Sequence, residues 1–227
     1  TDSELMRLCT GAGGPAKPVG PDLFVLLQRA RGISEASGGA FDVSIGPVVR
    51  LWRAARTAGQ PPDPAAPAAA RALVDYRAII LDRHSRTVRL AKPGMILDLG
   101  GIGKGYAAQE ALKILRARGH GRALVALAGD IALGDPPADQ PGWSIALSGL
   151  GGESRLHHVR LANTCISTSG DREQFLEVDG RRYSHIINPG TAQGSTARAQ
   201  ITVISPDGAT ADALATAATL VPRERIM

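Results

Sequence analysis

Leu97-Asp98-Leu99-Gly100-Gly101-Ile102-Gly103-Lys104-Gly105-Tyr106 passes from apolar residues through a glycine-rich turn into an amphipathic stretch. The order reads as a strand, a glycine loop and the start of a helix. Glycine lets the backbone approach a ligand closely, and a helix N-terminus offers N–H groups and positive potential. Lys104 adds a charge, so the place suits a phosphate. The stretch matches neither the P-loop G-x-x-x-x-G-K-[ST] nor the dinucleotide fingerprint G-x-G-x-x-G. Taken alone, it also reads as a tight strand-to-helix turn.

Downstream, Lys104–Arg118 has Ala108, Ala111, Leu112 and Leu115 on one helical face. Arg116 and Arg118 in the last turn complement the dipole, and Gly119 is the expected C′ residue. Strands are expected at Ala123–Leu127, Trp143–Leu147, Leu156–Leu161, Cys165–Thr168 and Ile201–Ile204, with a last helix from near Thr210. Upstream, Met95–Leu99, Thr87–Leu90 and Ala78–Leu81 read as strands, the last two joined by the turn Arg83-His84-Ser85-Arg86. Leu23, Leu26, Leu27, Ala30 and Ile33 mark a helix with Asp22 as N-cap and Gly38-Gly39 at its end. Shorter helices are expected at 47–56 and at about 65–75, separated by Gln60-Pro61-Pro62-Asp63-Pro64. Runs of strands with helices at intervals and hairpin-length loops imply an α+β fold rather than a doubly wound parallel sheet.

The chain has 227 residues, 44% of them apolar and 21% charged, enough for a packed core. No stretch approaches the roughly 18 consecutive apolar residues of a membrane span. Cys9 and Cys165 match no metal or redox spacing. The net charge is +5, but the arginines are scattered and no aromatics interleave with them, so no nucleic-acid-binding groove is expected.

Several other segments carry candidate chemistry. Asp212 and Thr216 are four apart on the last helix, so a carboxylate and a hydroxyl share a face. Two hard oxygen donors suit Mg²⁺, which completes its shell with waters and phosphates; the same Asp also reads as a complement to the helix dipole. Thr168-Ser169-Gly170-Asp171 reads as a strand end passing into a polar turn. In Tyr183-Ser184-His185-Ile186-Ile187-Asn188-Pro189, His185 is the best general-base candidate, with an unperturbed pKa of about 6.5. A lone histidine on a strand can also be structural. His84, His120, His157 and His158 receive no role; the last two face opposite sides of a strand. In Ser37-Gly38-Gly39-Ala40-Phe41-Asp42-Val43, Asp42 could accept hydrogen bonds from a flat heterocycle, and Phe41 reads equally as core.

The fixed order S-G-G-A-F-D (37–42), D-L-G-G-I-G-K-G-Y (98–106), A-G-D (128–130), T-S-G-D (168–171), S-H-I-I-N-P (184–189) and A-D-A-L-A-T (211–216) resembles the ApbE family of FAD:protein FMN transferases. The resemblance runs from Asp2-Ser3-Glu4-Leu5 past Thr216. It implies an ApbE-like (T-fold-like) single α+β domain over 1–227, with mixed, largely antiparallel sheets and helices packed on them. The family's N-terminal strand region and part of its C-terminal end are expected to be missing. The resemblance further implies that FAD is the substrate and Mg²⁺ the metal. FMN is joined through a phosphoester to a Thr or Ser hydroxyl of an acceptor flavoprotein, with release of AMP.

Carried over residue by residue, Asp212, Thr216 and the Gly103 carbonyl match the metal ligands. Ala40, Phe41, Asp42, Gly100, Lys104, Tyr106 and Ile186 match positions at the flavin and phosphates, and His185 matches the base towards the acceptor hydroxyl. Some relatives hydrolyse FAD to FMN and AMP instead, and a non-catalytic flavin-binding or assembly module is the reading of another class. The family is often placed at the bacterial cell envelope, on the periplasmic face of the inner membrane; a cytoplasmic location is the alternative. Departures are Asn188 for the usual Asp, Gly190-Thr191-Ala192-Gln193-Gly194 for x-T-G-x-P, Ala128 for Gly, and Cys9 where Asn is common.

Overall fold

The computed structural model describes residues 3–147, 157–170, 174–178, 180–222 and 224. Asp2, Leu156 and Asp171, named above, lie outside them. In chain order the elements are α1 (Glu4–Thr10), β1 (Lys17–Pro18), α2 (Pro21–Ala36), α3 (Gly46–Ala58), α4 (Ala66–Arg71), a 3₁₀ turn (Tyr76–Ala78), β2 (Ile79–Asp82), β3 (Thr87–Leu90) and α5 (Gly103–Ala117). There follow β4 (Leu124–Leu127), β5 (Asp130–Leu133), β6 (Trp143–Leu147), β7 (His157–Leu161), β8 (Thr164–Gly170), β9 (Phe175–Val178), β10 (Arg181–Ser184), β11 (Ile187–Asn188), β12 (Gln193–Gly194), β13 (Gln200–Ser205) and α6 (Gly208–Ala218). Every strand pair is antiparallel, and the lone parallel contact among the described residues is the bridge Ile45–Ile96. The α+β expectation holds. No helix of the described residues is long and apolar enough to cross a membrane.

The chain divides into two compact units. One comprises 1–99, 171–198 and 220–227. It holds the sheet β1-β3-β2 and the pairs β9/β10 and β11/β12. Its α3 buries Val48, Trp52 and Ala55 against Leu176, Ile187 and Ala192, and Trp52 Nε1 donates to Ala192 O at 2.9 Å. Pro21 at the first helical position of α2 sets the backbone for entry, so the N-cap is Gly20 and Asp22 falls in the first turn rather than capping it. Gly38 and Gly39, with φ of +62° and +83°, end that helix as expected.

The other unit comprises 100–170 and 199–219. Its sheet runs β13-β8-β5-β4. Alternation along β5 and β8 sends Ala132 and Cys165 to one face, where Ala108 and Leu112 of α5 and Ala211 of α6 pack. Leu133 and Ile166 point to the other face and meet Ile145 of the hairpin β6/β7. α6 is nearly all small residues, with five buried alanines, so it lies close to both the sheet and α5. A Cβ on Gly105 would strike the Gly208 carbonyl, and one on Gly208 would strike the Gly105 carbonyl. Only glycine permits that crossing.

Two expectations about elements fail. Met95–Leu99 is no strand of a sheet, and Ile96 makes an isolated bridge to Ile45. Its backbone bonds go elsewhere: Leu97 N–H to the Cys9 thiol at 3.3 Å, Asp98 N–H to Val43 O, and Ile96 O to Gly46 N–H. The Ala-rich helix stops at Arg71, because Asp75 caps a separate 3₁₀ turn by accepting from Arg77 N–H. β5, β9 and β10 add strands that hydropathy alone did not mark.

Candidate functional site

α5 begins at Gly103 with Ile102 as N-cap, a residue whose own side chain offers no cap. Helix N-termini carry unpaired N–H groups and positive potential. Gln109 ties this end to α6: its amide donates to Pro206 O and its carbonyl accepts from Gly208 N–H, both at 2.9 Å. Asp207 caps α6 by accepting from Thr210 N–H and Oγ1 at 2.8 Å. Asp212, one turn further along α6, therefore lies against the first turn of α5. Gly105 N–H donates to its Oδ2 at 3.2 Å.

Lys104 joins the same cluster. Its ammonium lies 2.8 Å from Asp130 Oδ2, and 3.2 and 3.3 Å from Asp212 Oδ1 and Oδ2. It also donates to Gly100 O at 3.2 Å. The Asp130 and Asp212 side chains are only 3% and 2% exposed. Burial pushes the Asp212 carboxyl up, Lys104 pulls it down, and neighbouring Asp130 pushes it up again, with a net rise. Burial lowers the Lys104 ammonium, but the two carboxylates outweigh it and the net is upward. Asp130 Oδ1 is buried with no hydrogen-bond partner among the described residues. Such an orphaned carboxylate oxygen is costly unless a donor or a cation meets it.

Thr216, one turn beyond Asp212, shares a hydroxyl–hydroxyl bond of 3.1 Å with Ser169 of β8. Gly103 is two residues before the N–H that Asp212 holds. The Asp212 carboxylate, which shares Lys104 with Asp130, whose Oδ1 is orphaned, suits a divalent ion. Among the described residues there is no cluster of three or more His, Cys, Asp or Glu poised as a metal cage. An ion here would draw the rest of its shell from water and phosphate. Tyr106 is half-buried on the first turn of the same helix.

The remaining predicted residues belong to the first unit. Phe41 is buried core, and Ala40 is half-buried on the turn behind α2. Asp42 is buried, with Oδ1 accepting from Ser44 N–H at 2.8 Å and Ser44 Oγ at 2.6 Å, and Oδ2 accepting from Tyr76 N–H at 3.0 Å. Its carboxylate organises the loop that receives the 3₁₀ turn. Ile186 is buried between the Ser184 hydroxyl, which its N–H meets, and Ser195 N–H, which its carbonyl accepts. His185 is exposed at the bend between β10 and β11, not within a strand. Its Nδ1 lies 3.1 Å from Gln174 O, and a carbonyl can only accept. That contact calls for a proton on Nδ1, which in a neutral imidazole puts the lone pair on Nε2.

Asn188, where the family pattern has Asp, caps a turn: its Oδ1 accepts from Gly190 N–H at 2.8 Å and Thr191 N–H at 3.3 Å. An amide oxygen serves that purpose as well as a carboxylate does. Asp130 and Gln109 were missed as individual site residues. The signal for Asp130 was the short turn Ala128-Gly129, which places it at the opening of a strand.

The ApbE family profile matches residues 1–227. Over 99% of its length the chain is 36% identical to the FAD:protein FMN transferase of Treponema pallidum, covering 66% of that protein. It is 33% identical to an FAD:protein FMN transferase of Klebsiella pneumoniae over 93% of this chain and 66% of the relative. The chain thus spans just under two thirds of the length of these relatives. Among solved structures, the ApbE protein of Thermotoga maritima superposes with a TM-score of 0.86 at 28% identity, covering 96% of this chain and 71% of that one. The flavin transferase ApbE from Vibrio cholerae gives 0.84 at 27%, covering 98% and 72%.

Proposed function

Because the chain belongs to the ApbE family, we propose that it transfers the FMN moiety of FAD to a Thr or Ser hydroxyl of an acceptor flavoprotein, releasing AMP. The observation that carries this reading is the Asp212–Lys104–Asp130 cluster against the first turn of α5. The names of the Treponema and Klebsiella relatives support the substrate.

In this reading Asp212, Thr216 and the Gly103 carbonyl hold Mg²⁺. When bound, the ion supplies charge neutralisation on the pyrophosphate and the departing AMP. The first-turn N–H groups of α5 and Lys104 bind the phosphates, and Gly100 and Tyr106 flank them. The acceptor oxygen attacks the phosphorus on the riboflavin side of FAD. A phosphoester forms, the phosphoanhydride breaks, and the hydroxyl proton passes to His185 Nε2. An exposed histidine whose basic nitrogen is fixed by a backbone carbonyl suits a protein-borne acceptor. Ala40, Phe41, Asp42 and Ile186 are assigned to the flavin, Asp42 by ordering its loop.

The test is incubation with FAD, Mg²⁺ and an acceptor carrying a Thr in a flavinylation site. A covalent yellow adduct with stoichiometric AMP is expected, and Asp212→Ala abolishes both. FMN appearing free without acceptor assigns hydrolysis instead. FAD bound with no AMP released assigns a binding module.

A further inference from the structure

Lys104 is held by two carboxylates at once, and they are not equivalent. Asp212 has both oxygens engaged, Oδ1 by Lys104 and Oδ2 by Lys104 and Gly105 N–H. Asp130 has Oδ2 on Lys104 at 2.8 Å, the shortest contact of the three, while its Oδ1 accepts from none of the described residues. Both side chains are buried. Two carboxylates against one ammonium leave the cluster short of positive charge in a medium that screens poorly. A cation binding at Asp212 must first displace at least one contact from Lys104. The lysine head has three donors on a flexible stem, and Asp130 is the carboxylate with acceptor capacity to spare.

We propose that Lys104 is a built-in counter-ion which a divalent cation displaces from Asp212, and that Asp130 is the positioning residue that receives its ammonium. The inference rests on the reading of Asp212 as a cation ligand. The turn before β5 serves this arrangement: Ala128 and Gly129 take φ of +47° and +97°, and the register pairs Asp130 with Leu127 and Ser167. The strand thereby fixes Asp130, while Lys104 reaches the cluster from α5 on a long unbranched stem. Without phosphate present, the ammonium and the cation compete for one carboxylate. Removing the lysine and removing its second carboxylate should then shift cation affinity in opposite directions. A merely structural Asp130 would not produce that pattern.

The experiment titrates Mn²⁺ into the chain without FAD, following free Mn²⁺ by electron paramagnetic resonance, with thermal unfolding as a check on folding. Lys104→Met keeps the stem and should tighten Mn²⁺ about tenfold, while Asp130→Asn should weaken it about tenfold. The double variant should lie nearer Lys104→Met, because the competitor that Asp130 restrains is gone. No tightening in Lys104→Met, or a double variant as weak as Asp130→Asn, overturns the proposal. If Asp130→Asn fails to fold, the Lys104→Met result alone decides. Mn²⁺ binding that survives Asp212→Ala, or that neither parent nor Lys104→Met shows at millimolar ion, overturns the cation reading beneath it. Binding lost in Asp212→Ala but unmoved by Lys104→Met overturns only the counter-ion.

Discussion

Asp42 and Asp212 are both buried, and burial pushes both carboxyls up, yet their surroundings differ in kind. Asp42 is met by neutral donors, two of Ser44 and the Tyr76 N–H, all from the loop and turn it organises. Asp212 is met by an ammonium it shares, one backbone N–H and the field of a second carboxylate. Neutral short-range donors fix a backbone; charged, exchangeable neighbours make a place where an ion can come and go. Burial alone does not tell these two surroundings apart. The character of the partners does.

The largest effect expected from breaking this contrast is at Asp212. Asp212→Asn brings the cluster from two carboxylates and one ammonium to a balanced pair with Asp130. Folding stability should change by less than about 1 kcal/mol, while metal-dependent AMP release from FAD falls at least about a hundredfold. Urea unfolding and a coupled AMP assay measure the two. A collapse of stability with metal dependence intact would place Asp212 in the same class as Asp42.

Next is the crossing that brings Asp212 to α5. Gly105→Ala sets a Cβ against the Gly208 carbonyl and 2.9 Å from Asp212 Cβ, neither of which can retreat as a flexible side chain could. A loss of about 3 kcal/mol is expected from overpacking. Gly32→Ala in the middle of α2 meets nothing within 4 Å. It should gain about 0.5–1 kcal/mol from helix propensity. Denaturant midpoints of the two variants should move in opposite directions.

The long periodic elements of this contrast were legible in sequence. α5 and α6 fall within a few residues of their expected positions because apolar spacing and end signals agreed. Asp212 and Thr216 were paired by helical spacing alone, and Lys104 by its place after glycines. What escaped was long-range. Nothing local says that Asp130, more than eighty residues before Asp212, meets the same ammonium, because strand register sets that meeting. Asp42 was read from its local turn alone, and the Tyr76 N–H that its carboxylate accepts from lies far along the chain, out of reach of any local pattern. Met95–Leu99 carried strand-like hydropathy without a partner edge, and a thiol and a helix start took its hydrogen bonds.

Asp42 supplies a smaller and pH-dependent effect. In Asp42→Asn the amide must turn its N–H₂ toward either Ser44 or Tyr76 N–H, at a cost of about 2 kcal/mol. Burial holds the folded Asp42 carboxyl above its ordinary value despite the pull of its donors. A carboxyl raised in the folded state adds stability that is full below its unfolded pKa and lost as pH rises through the folded one. Acidifying from neutrality to about pH 4 therefore favours the parent, and the cost of Asp42→Asn should widen. Urea unfolding at several pH values checks this; a cost that narrows on acidification would remove burial as the dominant cause.

The smallest effect tests how the second carboxylate is delivered to the cluster. Ala128 holds φ of +47° in the turn between β4 and β5, a region that penalises a Cβ. Ala128→Gly removes that penalty but gives the unfolded chain more freedom, so the net gain should be only about 0.5 kcal/mol. The turn and the pairing of Asp130 with Ser167 are retained, so Mn²⁺ affinity should stay at the parent value while the midpoint of unfolding rises slightly. A change in affinity without a change in stability would mean that the strained alanine itself aims Asp130. The contrast between a carboxylate that shapes backbone and one that handles charge would then extend to the turn that presents it.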